Sequence, residues 1–228
     1  MSRIGAAFLL LAACAQTALL AQSAAMGQSA HRIEIVLERR DAGSWRAIDP
    51  GLVLEPGDQV RFRFHTNFDG YLYVSNHSTS GKFEPLFPRE ETGQNNRVAS
   101  GEEYRVPATA AAFRIAGPAG HEVVYWLLSP APLTDLPSRL GLPSENTPPH
   151  TLIPRCDETR LKARGDCIDT SAGPKLAPRD LEVPPKLSDA ASRSRRDLMF
   201  LRRQETAIIS SPEPLSGPVI YEFLLAHR

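Results

Sequence analysis

Between residues 31 and 129 apolar and polar side chains alternate with a period of two, the spacing of strands that bury one face. Ile33, Ile35 and Leu37 alternate with Arg32, Glu34 and Glu38, and only the apolar Val36 breaks the rule. Val60, Phe62 and Phe64 alternate with Gln59, Arg61, Arg63 and His65. Tyr71 to Val74 and Val123 to Leu128 are apolar on both faces, as strands covered on two sides are. Turn signals separate these runs at Pro56-Gly57-Asp58, Asp69-Gly70, Ser80-Gly81-Lys82, Ser100-Gly101-Glu102 and Gly117-Pro118-Ala119-Gly120. Roughly seven to nine short strands with regular turns predict an all-β domain, an antiparallel immunoglobulin-like β-sandwich over 31–129. Twelve of the 16 aromatic residues lie between Trp45 and Trp126, which puts the core there.

The pattern stops after Ser129. Residues 130–216 hold 13 of the chain's 20 prolines. Proline lacks a backbone donor and fixes φ, so a regular sheet or long helix through this stretch is excluded. A long Pro-rich insertion is expected, with one short helix near 189–205. Ser188 would cap that helix, and Leu198 to Leu201 would give it an apolar patch. Arg193, Arg195, Arg196, Arg202 and Arg203 crowd the same window, and Asp189, Asp197 and Glu205 offset part of their charge. A solvated helix face is the simpler reading than an anion- or membrane-binding patch. The chain closes with Val219, Tyr221, Phe223 and Leu225 on one face, which predicts a strand over 217–228 that returns to the sandwich.

Charge and composition narrow the function classes. The 26 basic residues equal the 26 acidic ones, so a protein built to hold nucleic-acid phosphates is excluded. Met1-Ser2-Arg3, the apolar run Ile4 to Ala13 and the small residues that follow have the order of a secretory signal peptide over 1–25. Leu11-Ala12-Ala13-Cys14 also has the form of a lipobox, which would end the signal at residue 13 and make Cys14 the lipidation site. Both readings place the mature chain outside the cytoplasm, in the periplasm or cell envelope. Its membrane contact, if any, is then through a lipid at Cys14. In that oxidising compartment Cys156 and Cys167 are expected to form a disulfide, because no histidine lies close enough to complete a metal set.

Chemistry-bearing motifs are scarce. No Gly-x-Ser-x-Gly elbow, His-Glu-x-x-His pair, phosphate loop or dinucleotide fingerprint occurs, so no catalytic residue, cofactor or metal ligand is assigned. His65 and His77 would meet across a hairpin through Asp69-Gly70, yet two strand histidines are more often incidental than ligands. A cleft holding a buried acid beside His65 or His121 would favour a hydrolase. Tyr71, Tyr73, Tyr125 and Trp126 would form a stacking surface for sugar or peptide if exposed. The expected partner is therefore an envelope protein or a glycan, held by a non-catalytic module.

A set of local motifs then points to a family. They are Phe68-Asp69-Gly70-Tyr71-Leu72-Tyr73-Val74, Ser80-Gly81-Lys82 leading to Leu86-Phe87-Pro88, Asn96-Arg97-Val98, and Gly101 to Pro107. Phe113-Arg114-Ile115 and Gly117 to Glu122 complete the run. In order and spacing they resemble the bacterial domain of unknown function 4384, over about residues 52–133. The resemblance implies an exported or envelope-associated β domain, of a kind that sometimes accompanies caspase-like or other protease domains. It transfers no catalytic residue. No enzyme domain is read in this sequence, and the long Pro-rich insertion departs from the pattern.

Overall fold

The computed structural model describes residues 31–133, 152–177, 197–212 and 217–228. The expected signal segment 1–25 and Cys14 lie outside the described residues, as do Arg193, Arg195 and Arg196.

Thirteen strands form among the described residues. Before the insertion come β1 (Arg32–Asp41), β2 (Ser44–Ile48), β3 (Gln59–Thr66), β4 (Gly70–His77) and β5 (Phe83–Phe87). Then follow β6 (Arg97–Val98), β7 (Glu103–Val106), β8 (Phe113–Arg114) and β9 (Gly120–Ser129). The insertion adds helix α1 (Glu158–Arg164), β10 (Gly173–Leu176), β11 (Met199–Arg203) and β12 (Thr206–Ser210), and β13 (Val219–His227) ends the chain. One sheet runs β11-β12-β1-β3-β7, with β2 beside β1 and β8 beside β3. The other runs β10-β13-β9-β4-β5, with β6 beside β4. All pairings between strands are antiparallel, giving the two-layer sandwich the alternation predicts.

Alternation decides which side chains meet between the layers. Ile33, Ile35 and Leu37 of β1 and Val60, Phe62 and Phe64 of β3 point inward, against Val124, Trp126 and Leu128 of β9 and Tyr221 and Phe223 of β13. Trp126 is fully buried at the centre. Phe62 and Phe64 meet its ring edge-on at 5.2 and 5.4 Å, and Tyr221 stacks on it at 6.0 Å. Every residue of β9 and β13 is buried, because the outer face of their sheet is covered too. There Tyr73, Val123, Tyr125, Leu127, Ile220 and Leu224 form a second apolar layer, against which Leu133 and Ala177 of the insertion pack. The outer face of the first sheet is instead charged. Glu38 accepts from Arg61 at 2.6 Å and from Arg63 at 3.0 Å, and Arg61 lies 4.2 Å over the Trp45 ring.

Two expectations are corrected. The described part of the predicted helix near 189–205 is strand: β11 and β12 form a hairpin in which Leu201 faces Ile208 and Arg203 faces Thr206. Met199, Leu201 and Arg203 are exposed while Phe200 and Arg202 are partly covered, so the apolar "patch" is in fact an alternation. The insertion therefore supplies three strands, and its short helix is α1. Proline is tolerated in β10 because that strand is an edge, where Pro174 gives up no necessary donor. The second correction concerns β3 and β4, which do not pair; they belong to different sheets. The segment after Thr66 crosses between the layers, so no hairpin joins His65 to His77.

The connection from β2 to β3 ties the distant parts together. Leu54 donates to Ala226 O at 2.8 Å and accepts from Arg228 N at 3.1 Å, joining the end of β13. Val53 donates to Cys167 O at 2.9 Å, and Gly51 O accepts from Asp169 N at 2.7 Å, joining the insertion. Cys156 and Cys167 form the expected disulfide around α1. Asp157 caps that helix by accepting from Arg160 N at 3.0 Å, and Gly165 ends it at φ 79°.

Replacing Cys156 and Cys167 together with alanine is expected to lower unfolding stability by about 2–3 kcal/mol, the loop-closure entropy of a clip this short. Urea titration of parent and variant measures it; equal midpoints would show that the bridge contributes nothing.

Candidate functional site

Three places in the sandwich gather groups capable of chemistry or recognition. The first surrounds His121. The second residue of β9 faces the outer side of its sheet, beneath the disulfide loop. That loop turns sharply after Ile168: the Asp169 carboxylate accepts from Ser171 N at 2.7 Å and from Arg155 N at 2.9 Å. The turn carries Asp169 Oδ2 and Ser171 Oγ each to 3.3 Å from His121 Nε2. On the other side of the ring, Nδ1 lies 3.0 Å from Leu152 O. A cleft of about 540 Å³ opens here, lined also by Ile153, Arg155 and Thr170. Leu152 and Ile153 are strongly exposed beside it.

This is the buried acid beside His121 that would favour a hydrolase, but the acid stands at the same ring nitrogen as the serine rather than at the opposite one. A nucleophilic serine needs a lone pair on the nitrogen it faces, with the acid on the opposite nitrogen to orient the ring. Here Asp169 and Ser171 share Nε2, and Nδ1 faces the Leu152 carbonyl. Among the described residues, therefore, no carboxylate stands on the nitrogen opposite the serine. Burial acts to raise the Asp169 pKa, but hydrogen bonds from Ser171 and Arg155 and the nearby His121 outweigh it and hold the carboxyl below its usual value. The cluster clips the loop to the sheet.

The second place closes one end of the core. Glu122, Asn76 and His227 point between the layers from β9, β4 and β13. Glu122 accepts from Asn76 Nδ2 at 2.7 Å and from Thr79 N at 3.3 Å, and lies 3.3 Å from His227 Nε2. Burial pushes its pKa up, yet these three partners more than reverse that and keep it ionised. Glu222, on the outer face of β13, lacks such help. It is paired across the sheet with Lys175 and Tyr125, and its Oε2 is buried without a hydrogen bond among the described residues. Burial raises its pKa to about 7, with Lys175 opposing weakly. The sequence signal for Glu222 was present: one carboxylate in the otherwise apolar run Val219 to Leu225.

The third place is the gap between the two sheets where β6 and β7 form neighbouring edges. Buried Phe64, Leu72 and Phe87 floor a cavity of about 170 Å³ whose open side carries exposed Arg97, Arg105 and Ala108.

The residues singled out from sequence are mostly dispersed. Trp126 and Tyr73 are interior, Tyr125 belongs to the covered outer layer and Tyr71 is half-buried, so no stacking platform forms from them. Tyr73 instead uses its hydroxyl to accept from Leu133 N at 2.8 Å. His65 and His77 lie on opposite outer faces of the sandwich, and no group of three metal-ligating side chains occurs among the described residues. Arg202 and Arg203 point to opposite sides of β11, and Arg202 is committed to Asp49 and to the Ala172 carbonyl. They do not form the arginine patch expected on a helix.

Fold and sites together define an antiparallel β-sandwich module with a disulfide-clipped insertion. Residues 53–132 match the model of a family described as Domain of unknown function (DUF4384). No curated protein and no solved structure matches the chain. In this chain the matched segment spans β3 to β9. The open edges of β3 and β9 are filled by β1 and β13, which come from outside it.

Glu222 gives the site a pH signature. Its folded pKa lies above its ordinary value of 4.5. The folded chain therefore keeps a proton that the unfolded chain loses between pH 4.5 and about 7. Stability from this group is complete below that window, falls as pH rises through it, and is constant above. Glu222→Gln is expected to flatten the fall and to be more stable than the parent at alkaline pH. Urea melts across the window test this; an unaltered slope in the variant would assign the effect elsewhere.

Proposed function

We propose that this chain is a non-catalytic, protein-binding module of the cell envelope. The observation that carries the reading is that Asp169 lies at the same His121 nitrogen as Ser171, with a main-chain carbonyl at the other, in the one described cluster where a serine, a histidine and a carboxylate meet. Burial of Trp126 and Tyr73 removes the aromatic face a glycan would stack on, which favours protein over sugar as the partner. Export is supported by the basic-apolar-small order of the first 25 residues and by the Cys156–Cys167 bridge, a bond of oxidising compartments.

The purified chain is expected to cleave p-nitrophenyl acetate and labelled casein no faster than its Ser171→Ala variant. Ser171-dependent turnover would overturn the non-catalytic reading and install the hydrolase alternative. His121→Ala is expected to cost about 1–3 kcal/mol of stability, because it removes the buried ring that joins Asp169, Ser171 and the Leu152 carbonyl to β9. In cells, photo-cross-linking from the surface of the chain is expected to trap a discrete envelope protein. Cross-links to glycan strands alone would reverse the choice of partner.

A further inference from the structure

We infer that the gap between β6 and β7 is a docking groove for an extended acidic peptide that inserts one apolar side chain between the sheets. The inference rests on the protein-binding reading above and names its site and ligand chemistry. Three observations converge on it. The cavity holds about 170 Å³ over a floor of Phe64, Leu72 and Phe87. An engineered cavity of about 150 Å³ takes up benzene, so this volume suits a leucine or phenylalanine side chain. Next, β7 ends its sheet: Glu103–Val106 pairs with β3 on one side and with no strand on the other among the described residues. An unpaired edge offers main-chain donors and acceptors to an added strand, and a pocket beside it reads alternate side chains.

Charge then selects the peptide. Glu103, the acid at the rim, is already held by Arg63 at 2.9 Å and Arg105 at 3.1 Å. Arg97 is exposed and makes no ion pair among the described residues. The rim is therefore net positive, and carboxylates flanking the inserted side chain complement it. The walls are held in place around the cavity. Tyr104 stacks on Phe64 at 5.7 Å while its hydroxyl accepts from Ala99 N at 2.8 Å, fixing the loop that joins β6 to β7. Asn96 is tied to Leu72 through both its main chain and its side chain.

The test uses the purified chain and the fluorescein-labelled peptide Glu-Asp-Val-Leu-Val-Glu-Asp, followed by anisotropy. Two controls replace the central Leu with Ser or the acids with Lys. The acidic apolar peptide is expected to bind saturably and both controls to bind more weakly. Arg97→Glu, at an exposed position, is expected to weaken binding by about tenfold or more and to abolish its salt dependence. Ala108→Phe places a ring in the opening and is expected to remove binding; thermal melting confirms its fold, and if it unfolds Arg97→Glu decides alone. Equal affinity of parent and Arg97→Glu, or of the Leu and Ser peptides, would overturn the proposal. So would a dimer in sedimentation that Ala108→Phe dissociates, since a second copy would then be the occupant. If Ala108→Phe keeps the cross-linked envelope partner of the parent, the groove fails while the protein-binding reading stands.

Discussion

The short connection between β2 and β3 governs how this chain closes. Gly51, Val53 and Leu54 are buried, and buried main-chain groups must be paired. Their partners are Cys167 and Asp169 from the insertion and Ala226 and Arg228 from the end of the chain. The connection thus cannot be satisfied by its own neighbourhood; it needs segments more than a hundred residues away. Sterics enforce the same union. A Cβ at Gly51 would fall 2.6 Å from Asp169 O, and one at Gly173 would fall 2.7 Å from the Arg202 guanidinium. Those two absent side chains make room for Arg202 to reach Asp49 and the Ala172 carbonyl. The described part of the insertion is in this sense part of the sandwich, holding its end shut as well as packing on its outer face.

That closure decides what the buried polar groups do. At the sandwich end, Glu122 has partners from β4, β13 and the Thr79 turn, so it stays ionised and locks three strands in register. Glu222, one layer outward, meets only Lys175 as a charge partner among the described residues and holds its proton to about pH 7. The two carboxylates differ in supply of donors, not in burial. His121 follows the same logic: the connection fixes Asp169, Asp169 fixes its own turn, and the turn presents acceptors to the ring. The same contacts fasten the disulfide loop to β9.

The sequence was readable where one strand made its own pattern. β1 and β3 alternate cleanly because one face of their sheet is solvated, and β9 and β13 read as continuous apolar runs because theirs is covered on both sides. The disulfide was legible from cysteine parity. The β11–β12 hairpin was not. Its two-residue turn is Gln204-Glu205, with Gln204 at φ 54°, so the Asn-Gly or Asp-Gly signal of such turns is missing. Adjacent Leu198 to Leu201 then imitate a helical patch. Asp69-Gly70 misled in the opposite direction: a strong turn dipeptide marks a crossing between sheets, where a Cβ at Gly70 would crowd Ser129 O at 3.0 Å. Asp169, Ser171 and His121 are distant in sequence and carry no shared spacing, so their meeting is a property of the closed fold alone.

The two concave sites differ in which part of the chain they need. The His121 cluster requires Leu152, Asp169 and Ser171, all outside the segment that matches the family. The groove between β6 and β7 is built entirely from residues within 53–132. A property common to sequences that share this segment must be carried by residues the segment contains, so the groove is the one of the two that can be general. Edge protection points the same way. The edge strands β5 and β10 carry Pro85 and Pro174, which blunt pairing with another chain, whereas β7 has no proline within it. β7 is only four residues long and its outward side chains, Glu103 and Arg105, are charged. Such an edge resists indiscriminate aggregation but still accepts a short strand whose charges match, which is the balance a specific peptide-binding edge requires.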